Sequence, residues 1–217
     1  MLGVNRMDET LQKLYLELKP LIIKKMESFR ETWQQGNRSI WMELCFCILT
    51  ANTSAAMAIT TLEKLRDVNF DNESEIRASL KKGYRFPNTR AHYISTTWEY
   101  LKSIGSLNLQ EKISSFGSDI IALRDFFALT KSIKGLGYKE SSHFLRNIGV
   151  CGLTILDKHI LRSLHEFGLI ETSQPPRNRT EYLKFEKIMK QFADQVDIDM
   201  DHLDLLLWYR KTGEILK

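Results

Sequence analysis

The chain has 217 residues, enough to bury a substantial core as one compact unit or as two small lobes. Hydrophobic residues make up 43% of it and charged residues 27%, an ordinary globular composition, and no apolar run is long enough to cross a bilayer. Its start lacks the basic, apolar, small-residue layout of a signal peptide, so an intracellular protein without membrane contact is expected; the net charge of +4 permits phosphate binding without demanding it.

Apolar residues recur at helical spacing almost throughout. Leu11, Leu14, Leu18 and Leu21 mark the face of a first helix, which Gln35-Gly36-Asn37 ends. Ile40, Leu44, Cys47, Ile48 and Ala51 mark a second. Thr53 or Ser54 is placed to cap a third, with a stripe of Ile59, Leu62 and Leu65. Gly83 to Pro87 breaks the chain before a helix carrying Tyr93, Ile94, Thr97, Trp98 and Leu101. Further on, Phe144, Leu145 and Ile148 form one stripe, and Ile160, Leu161, Leu164 and Phe167 the next. A polar loop holding Pro175-Pro176 leads to a helix with Tyr182, Phe185, Ile188, Met189 and Phe192, for which Thr180 is the expected N-cap. Gly213 is placed to stop the last helix, which carries Trp208. No convincing pair of alternating strands is present, so the fold class is all-α. Cys45 and Cys47 lie in an apolar segment and read as reduced structural thiols. With Cys151 they make three, with no C-x-x-C pair, too few for the four ligands of an ordinary iron–sulfur cluster; no metal site is expected.

The most informative stretch is Ile133-Lys134-Gly135-Leu136-Gly137-Tyr138-Lys139, between an apolar helical segment from Ile120 to Leu129 and another from Ser141 to Ile148. Two glycines around one apolar residue allow a tight turn, because glycine accepts positive φ without a Cβ clash. They also let backbone N–H groups approach a phosphate at the start of the following helix. Leu136 would anchor the turn in the core. An ordinary helix–helix turn remains the competing reading. Lys139 falls in the first turn of that helix, where the macrodipole disfavours an ammonium ion and so favours the neutral amine of a nucleophile. The competing reading is a solvated or phosphate-binding charge.

Asp157 opens a further helical pattern in Leu156-Asp157-Lys158-His159-Ile160. As an N-cap it would accept backbone N–H bonds and stay ionised, and an ionised carboxylate beside a sugar stabilises the positive charge of a breaking glycosidic bond. The two roles are compatible.

A G-x-G-x-K hairpin followed by an aspartate in a D-x-H context resembles the helix-hairpin-helix glycosylase superfamily, and more narrowly the archaeal-type second family of 8-oxoguanine DNA glycosylase/lyases. Phe46 to Ala55, Gly83 to Arg90, the hairpin through Gly149, Ile155 to Arg162 and Trp208 to Lys217 carry the resemblance, which spans nearly the whole chain. It implies a bifunctional enzyme of prokaryotic cytoplasm and nucleoid that excises 8-oxoguanine from double-stranded DNA and cleaves the abasic site by β-elimination. Lys139 would be the Schiff-base nucleophile and Asp157 the catalytic carboxylate. Gly135 and Gly137 would hold a phosphate, with a monovalent cation at the hairpin as the one cofactor implied, and His159 another phosphate. Lys217 would tell 8-oxoguanine from guanine, with Trp208 and Phe86 at the base. The loop around Asn52 and Thr53 sits where related enzymes push a wedge into the duplex, N-capping of the next helix being the competing reading. Arg85, Phe86, Asn88 and Arg90 mix cations with an aromatic ring, a composition suited to phosphate contacts and base stacking, with an ordinary loop around a buried Phe86 as the competing reading.

The expected architecture is a central lobe of residues 37–150 with the hairpin and a second lobe of 1–36 plus 151–217, with the active site in the cleft between them, in a monomer. Three rival readings remain: a glycosylase of this fold with another base specificity, a non-catalytic hairpin module that only binds DNA, and a helical protein-interaction scaffold without salt-dependent DNA binding.

Overall fold

The computed structural model describes residues 2–51, 53–81 and 83–215, and every regular element among them is a helix. In chain order these are α1 (Leu2–Gln34), α2 (Asn37–Thr50), α3 (Ala55–Glu63), α4 (Glu73–Leu80), α5 (Pro87–Ser103), α6 (Leu109–Ser114), α7 (Ile120–Leu129), α8 (Tyr138–Asn147), α9 (Lys158–Glu166), α10 (Arg179–Gln195) and α11 (Met200–Thr212). No helix among the described residues is long and apolar enough to cross a membrane. The helices form two compact units. Of the described residues, one takes 2–29 and 150–215; the other is Arg30–Gly149. The first division falls inside α1 rather than at the Gly36 turn, so the last turns of α1 belong with α2 to α8.

In the Arg30–Gly149 unit, α2 is the hub, packed by α3, α5, α6 and α8, while α4 lies on α5 and α7 on α8. A helix touched on several sides must be apolar on several sides. Accordingly Ile40, Trp41 and every residue from Glu43 to Leu49 are buried, a wider surface than one stripe. The one acid in that run, Glu43, accepts from Asn147 Nδ2 at 2.7 Å, both side chains being buried. Cys45 and Cys47 are buried free thiols, and burial pushes the Cys45 thiol well up; Cys151 is exposed.

In the other unit, α9 and α10 pack on α11. The buried face of α1 is Leu11, Tyr15, Leu18, Ile22, Met26 and Phe29, whereas Leu21 is exposed. In the same way Ile59 of α3 is exposed, and Ala58 and Thr61 are buried instead.

Caps end the elements where backbone N–H groups would otherwise be orphaned. Ser54 caps α3 by accepting from the Met57 amide, and Gly213 closes α11 in the left-handed conformation. The cap of α10 is Asn178, which accepts from Glu181 N; Thr180, the expected cap, lies one turn position inside the helix. The earlier side chain caps because, just outside the helix, its oxygen reaches the third helical amide.

Candidate active site: a glycine hairpin and a capped aspartate

The turn between α7 and α8 is held from α5. Arg90, Tyr93 and Thr97 are three and four residues apart and share one face of that helix. Thr97 Oγ1 accepts from the Lys134 amide at 2.9 Å. Gly135 has φ +80°, and a Cβ there would lie 2.8 Å from Tyr93 Cδ2 and 3.3 Å from Ile48 Cγ2. Position 135 therefore requires glycine twice over, for conformation and for space. Gly137 is different. It is the N-cap of α8 with φ −104° and ψ −167°, an extended backbone open to any residue, so the expectation of positive φ at both glycines holds only for the first. Leu136, between them, is buried.

Lys139 stands in the first turn of α8, and its Nζ lies 2.9 Å from Glu140 Oε1. The amine is thus met by a carboxylate that the sequence reading did not single out. Beside it, the Tyr138 hydroxyl donates to Asp125 Oδ1 of α7 at 2.6 Å, with Arg124 over the Tyr138 ring.

Arg85, Phe86 and Arg90 differ in exposure. Arg85 is exposed and lies over the half-buried Phe86 ring, its guanidinium carbon 5.0 Å from the centroid, at the N-terminus of α5. Arg90 is 7% exposed, donates from Nη2 to the Ala51 carbonyl at 2.7 Å and lies over Tyr93. A guanidinium committed to a carbonyl and a ring braces the end of α2 against the hairpin seat; it does not present itself to a phosphate. Thr53 belongs to the same corner, its hydroxyl donating to the Leu49 carbonyl, which also accepts from Tyr84. Asn52 and Lys217, the expected wedge and lesion reader, lie outside the described residues.

In the other unit Asp157 caps α9, its Oδ1 accepting from His159 N at 2.8 Å and Ile160 N at 2.9 Å. Both bonds fall on one oxygen. The extended segment leading to it, Leu153 to Leu156, is buried and makes no helix, so its amides need side-chain acceptors. Acids of α10 and α11 supply them. Asp201 accepts from Gly152 N, Glu186 from Thr154 N and Asp204 from Ile155 N, and the Tyr182 hydroxyl donates to the Thr154 carbonyl. These four residues hold the segment that leads to Asp157; the sequence reading named Tyr182 only as part of a helix face and did not single out the three acids. Their one signal is an acid recurring among buried leucines, as in Asp201, Leu203, Asp204 and Leu205.

His159 and Trp208 meet edge to face, ring centroids 4.9 Å apart. Burial, foremost, and then the cations Lys158, Arg162 and Lys211 hold the His159 imidazole below its usual range, against the pull of Asp157. It therefore faces neutral pH as an uncharged N–H donor. The Trp208 Nε1 is buried with no hydrogen-bond partner among the described residues. Lys211 ties α11 to α9 through Glu166 at 2.6 Å.

An all-helical chain with a glycine turn feeding a lysine into a helix start has the fold of the helix-hairpin-helix glycosylases. A family model described as 8-oxoguanine DNA glycosylase matches residues 22–198. The chain belongs to that family. It is similar to the 8-oxoguanine DNA glycosylase/AP lyase of Methanocaldococcus jannaschii, 37% identical over 204 residues that cover 93% of this chain and 94% of that one. The protein of the same name from Korarchaeum cryptofilum is 38% identical over 202 residues, 92% of each chain. Among solved structures, the M. jannaschii 8-oxoguanine glycosylase/lyase in complex with a 15mer DNA containing 8-oxoguanine matches with a TM-score of 0.85 at 33% identity, covering 98% of this chain and 100% of that one.

Proposed function

We propose that this protein removes 8-oxoguanine from double-stranded DNA and then cleaves the strand at the abasic site by β-elimination. The observation that carries the reading is Lys139, seated at the start of α8 directly behind the hairpin, in a chain whose full-length relatives are named for this activity. Chemistry at C1′ is impossible inside a stacked duplex, so the lesion is turned out of the helix first. The Lys139 amine attacks C1′ and displaces the base, leaving a Schiff base on the opened sugar. Loss of a proton from C2′ then expels the 3′ phosphate. The Asp157 carboxylate, fixed by its cap bonds, stabilises the positive charge that grows on the sugar as the glycosidic bond breaks.

The remaining roles follow from chemistry and placement. The hairpin amides at Gly135 and Gly137 take a phosphate, and neutral His159 donates to another. Arg85 contacts DNA, Asn52 enters the gap left by the lesion, and Trp208, Phe86 and Lys217 read the base. Arg90 acts by bracing rather than by contact. The carbonyls of Ile133 to Leu136 accept no backbone hydrogen bond among the described residues, a neutral oxygen set that fits a monovalent cation. These carbonyls would hold it, and its charge would favour the phosphate. The enzyme works as a monomer within a prokaryotic cell, on chromosomal DNA.

The test is incubation of the purified chain with duplexes carrying a single 8-oxoguanine, guanine or uracil. Release of 8-oxoguanine with a β-elimination product is expected. Preferential release of uracil, or binding without release, contradicts the proposal.

A further inference from the structure

We propose that Glu140 is a further catalytic residue, the acceptor that takes the proton from the Lys139 ammonium ion and so creates the attacking amine. The proposal rests on the reading of Lys139 given above. Glu140 touches the reacting nitrogen itself, Oε1 being 2.9 Å from Nζ, and its side chain is 17% exposed against 36% for the lysine. Residues one apart on a helix ordinarily point away from each other, so the contact is no by-product of helical spacing.

The helix start treats the two groups oppositely. Its positive end stabilises a carboxylate and disfavours an ammonium ion. Gly137 does not need to be glycine, and a Cβ placed there would meet Glu140 Oε2 at 3.4 Å, an ordinary contact distance. The carboxylate therefore folds back against a position that carries no side chain. The charged groups facing this turn from neighbouring elements have other contacts. On α7, Asp125 accepts from Tyr138 and Arg124 lies over its ring; on α2, Glu43 binds Asn147 at the far end of α8. Among the described residues, Glu140 is the carboxylate at hydrogen-bond distance from the amine.

In the step proposed, an Nζ–H bond breaks, the proton passes to Oε1, and the freed lone pair forms the Nζ–C1′ bond. The bond from C1′ to the base breaks with its electron pair leaving on the base, which takes a proton from water. One proton of the resulting secondary ammonium passes to O4′ as the ring opens, giving the Schiff base. Glu140 gives its proton to the hydroxide left by that water and is ionised again.

The test is the single-turnover rate of 8-oxoguanine excision by the full chain and Glu140→Gln, followed from about pH 6 to about pH 10. A proton acceptor predicts that the variant is slower by about 10²-fold near neutrality and that the deficit narrows as pH rises, because solvent then supplies the amine. A simple ion pair predicts the opposite sign. Removing the carboxylate would then release the amine, and a rate equal to or above that of the unaltered protein overturns the proposal. Should the Gln variant not fold, Glu140→Asp is read instead. It keeps the charge at the helix start but withdraws the oxygens from Nζ; slowing that narrows with pH supports the acceptor role, and an unaltered profile overturns it. Lys139→Gln is run alongside. If it excises normally, the lysine reading itself fails and takes this proposal with it. If it is inactive while both Glu140 variants keep the full rate and profile, only Glu140 is refuted.

Discussion

At Gly135 the backbone sits at φ +80° and the space for a Cβ is taken by Tyr93 and Ile48. Alanine there costs about 1–2 kcal/mol for the left-handed conformation alone, before the overlap with Tyr93 is relieved. Gly137 is extended and open, so Gly137→Ala should change stability by less than about 1 kcal/mol. Urea midpoints of the two variants check this, and equal losses at both positions contradict it. In the sequence the two glycines look alike, one on each side of Leu136. What separates them is Tyr93 and Ile48, delivered by α5 and α2, and no local pattern reports a neighbour so distant in the chain. Arg90 carries the same lesson. Beside Arg85 and Phe86 it has the composition of a phosphate contact, but its guanidinium is buried on the Ala51 carbonyl. Glu140 was overlooked for a related reason: adjacent residues on a helix are not expected to meet.

Helical periodicity located most elements but mistook some faces by one residue. Leu14 and Tyr15, or Leu21 and Ile22, are adjacent apolar pairs, and spacing alone does not say which member turns inward. Packing selects Tyr15 and Ile22. Hairpin, helix stop at Gly213 and Asp157 cap were legible because each depends on chemistry within a few residues. The cradle before Asp157 was not, since its amides are bound by α10 and α11. That cradle makes a prediction at its own scale. Asp204→Leu leaves the buried Ile155 N–H without its recorded acceptor and should destabilise the protein by about 1–3 kcal/mol. Asp204→Asn keeps an acceptor oxygen and should lose less. Chemical denaturation ranks the two, and a Leu variant as stable as the unaltered protein would show that the segment does not depend on this bond.

For the molecule as a whole, composition said little beyond an ordinary helical protein of slight positive charge. Class and family became readable only through the combination of hairpin, lysine and capped aspartate. The structure assigns Lys139 to the Arg30–Gly149 unit and Asp157, His159 and Trp208 to the other, and nothing in the spacing of residues fixes that partition, which cuts through α1. The covalent role of one amine is the claim on which the others depend. Borohydride reduction of the Schiff base on a duplex with one 8-oxoguanine tests it directly. The unaltered chain and Lys187→Gln, a change at an exposed position of α10, should each yield a covalent protein–DNA adduct. Lys139→Gln, melting at the same temperature, should yield none, whereas an adduct at full yield from that variant would contradict the assignment of the nucleophile.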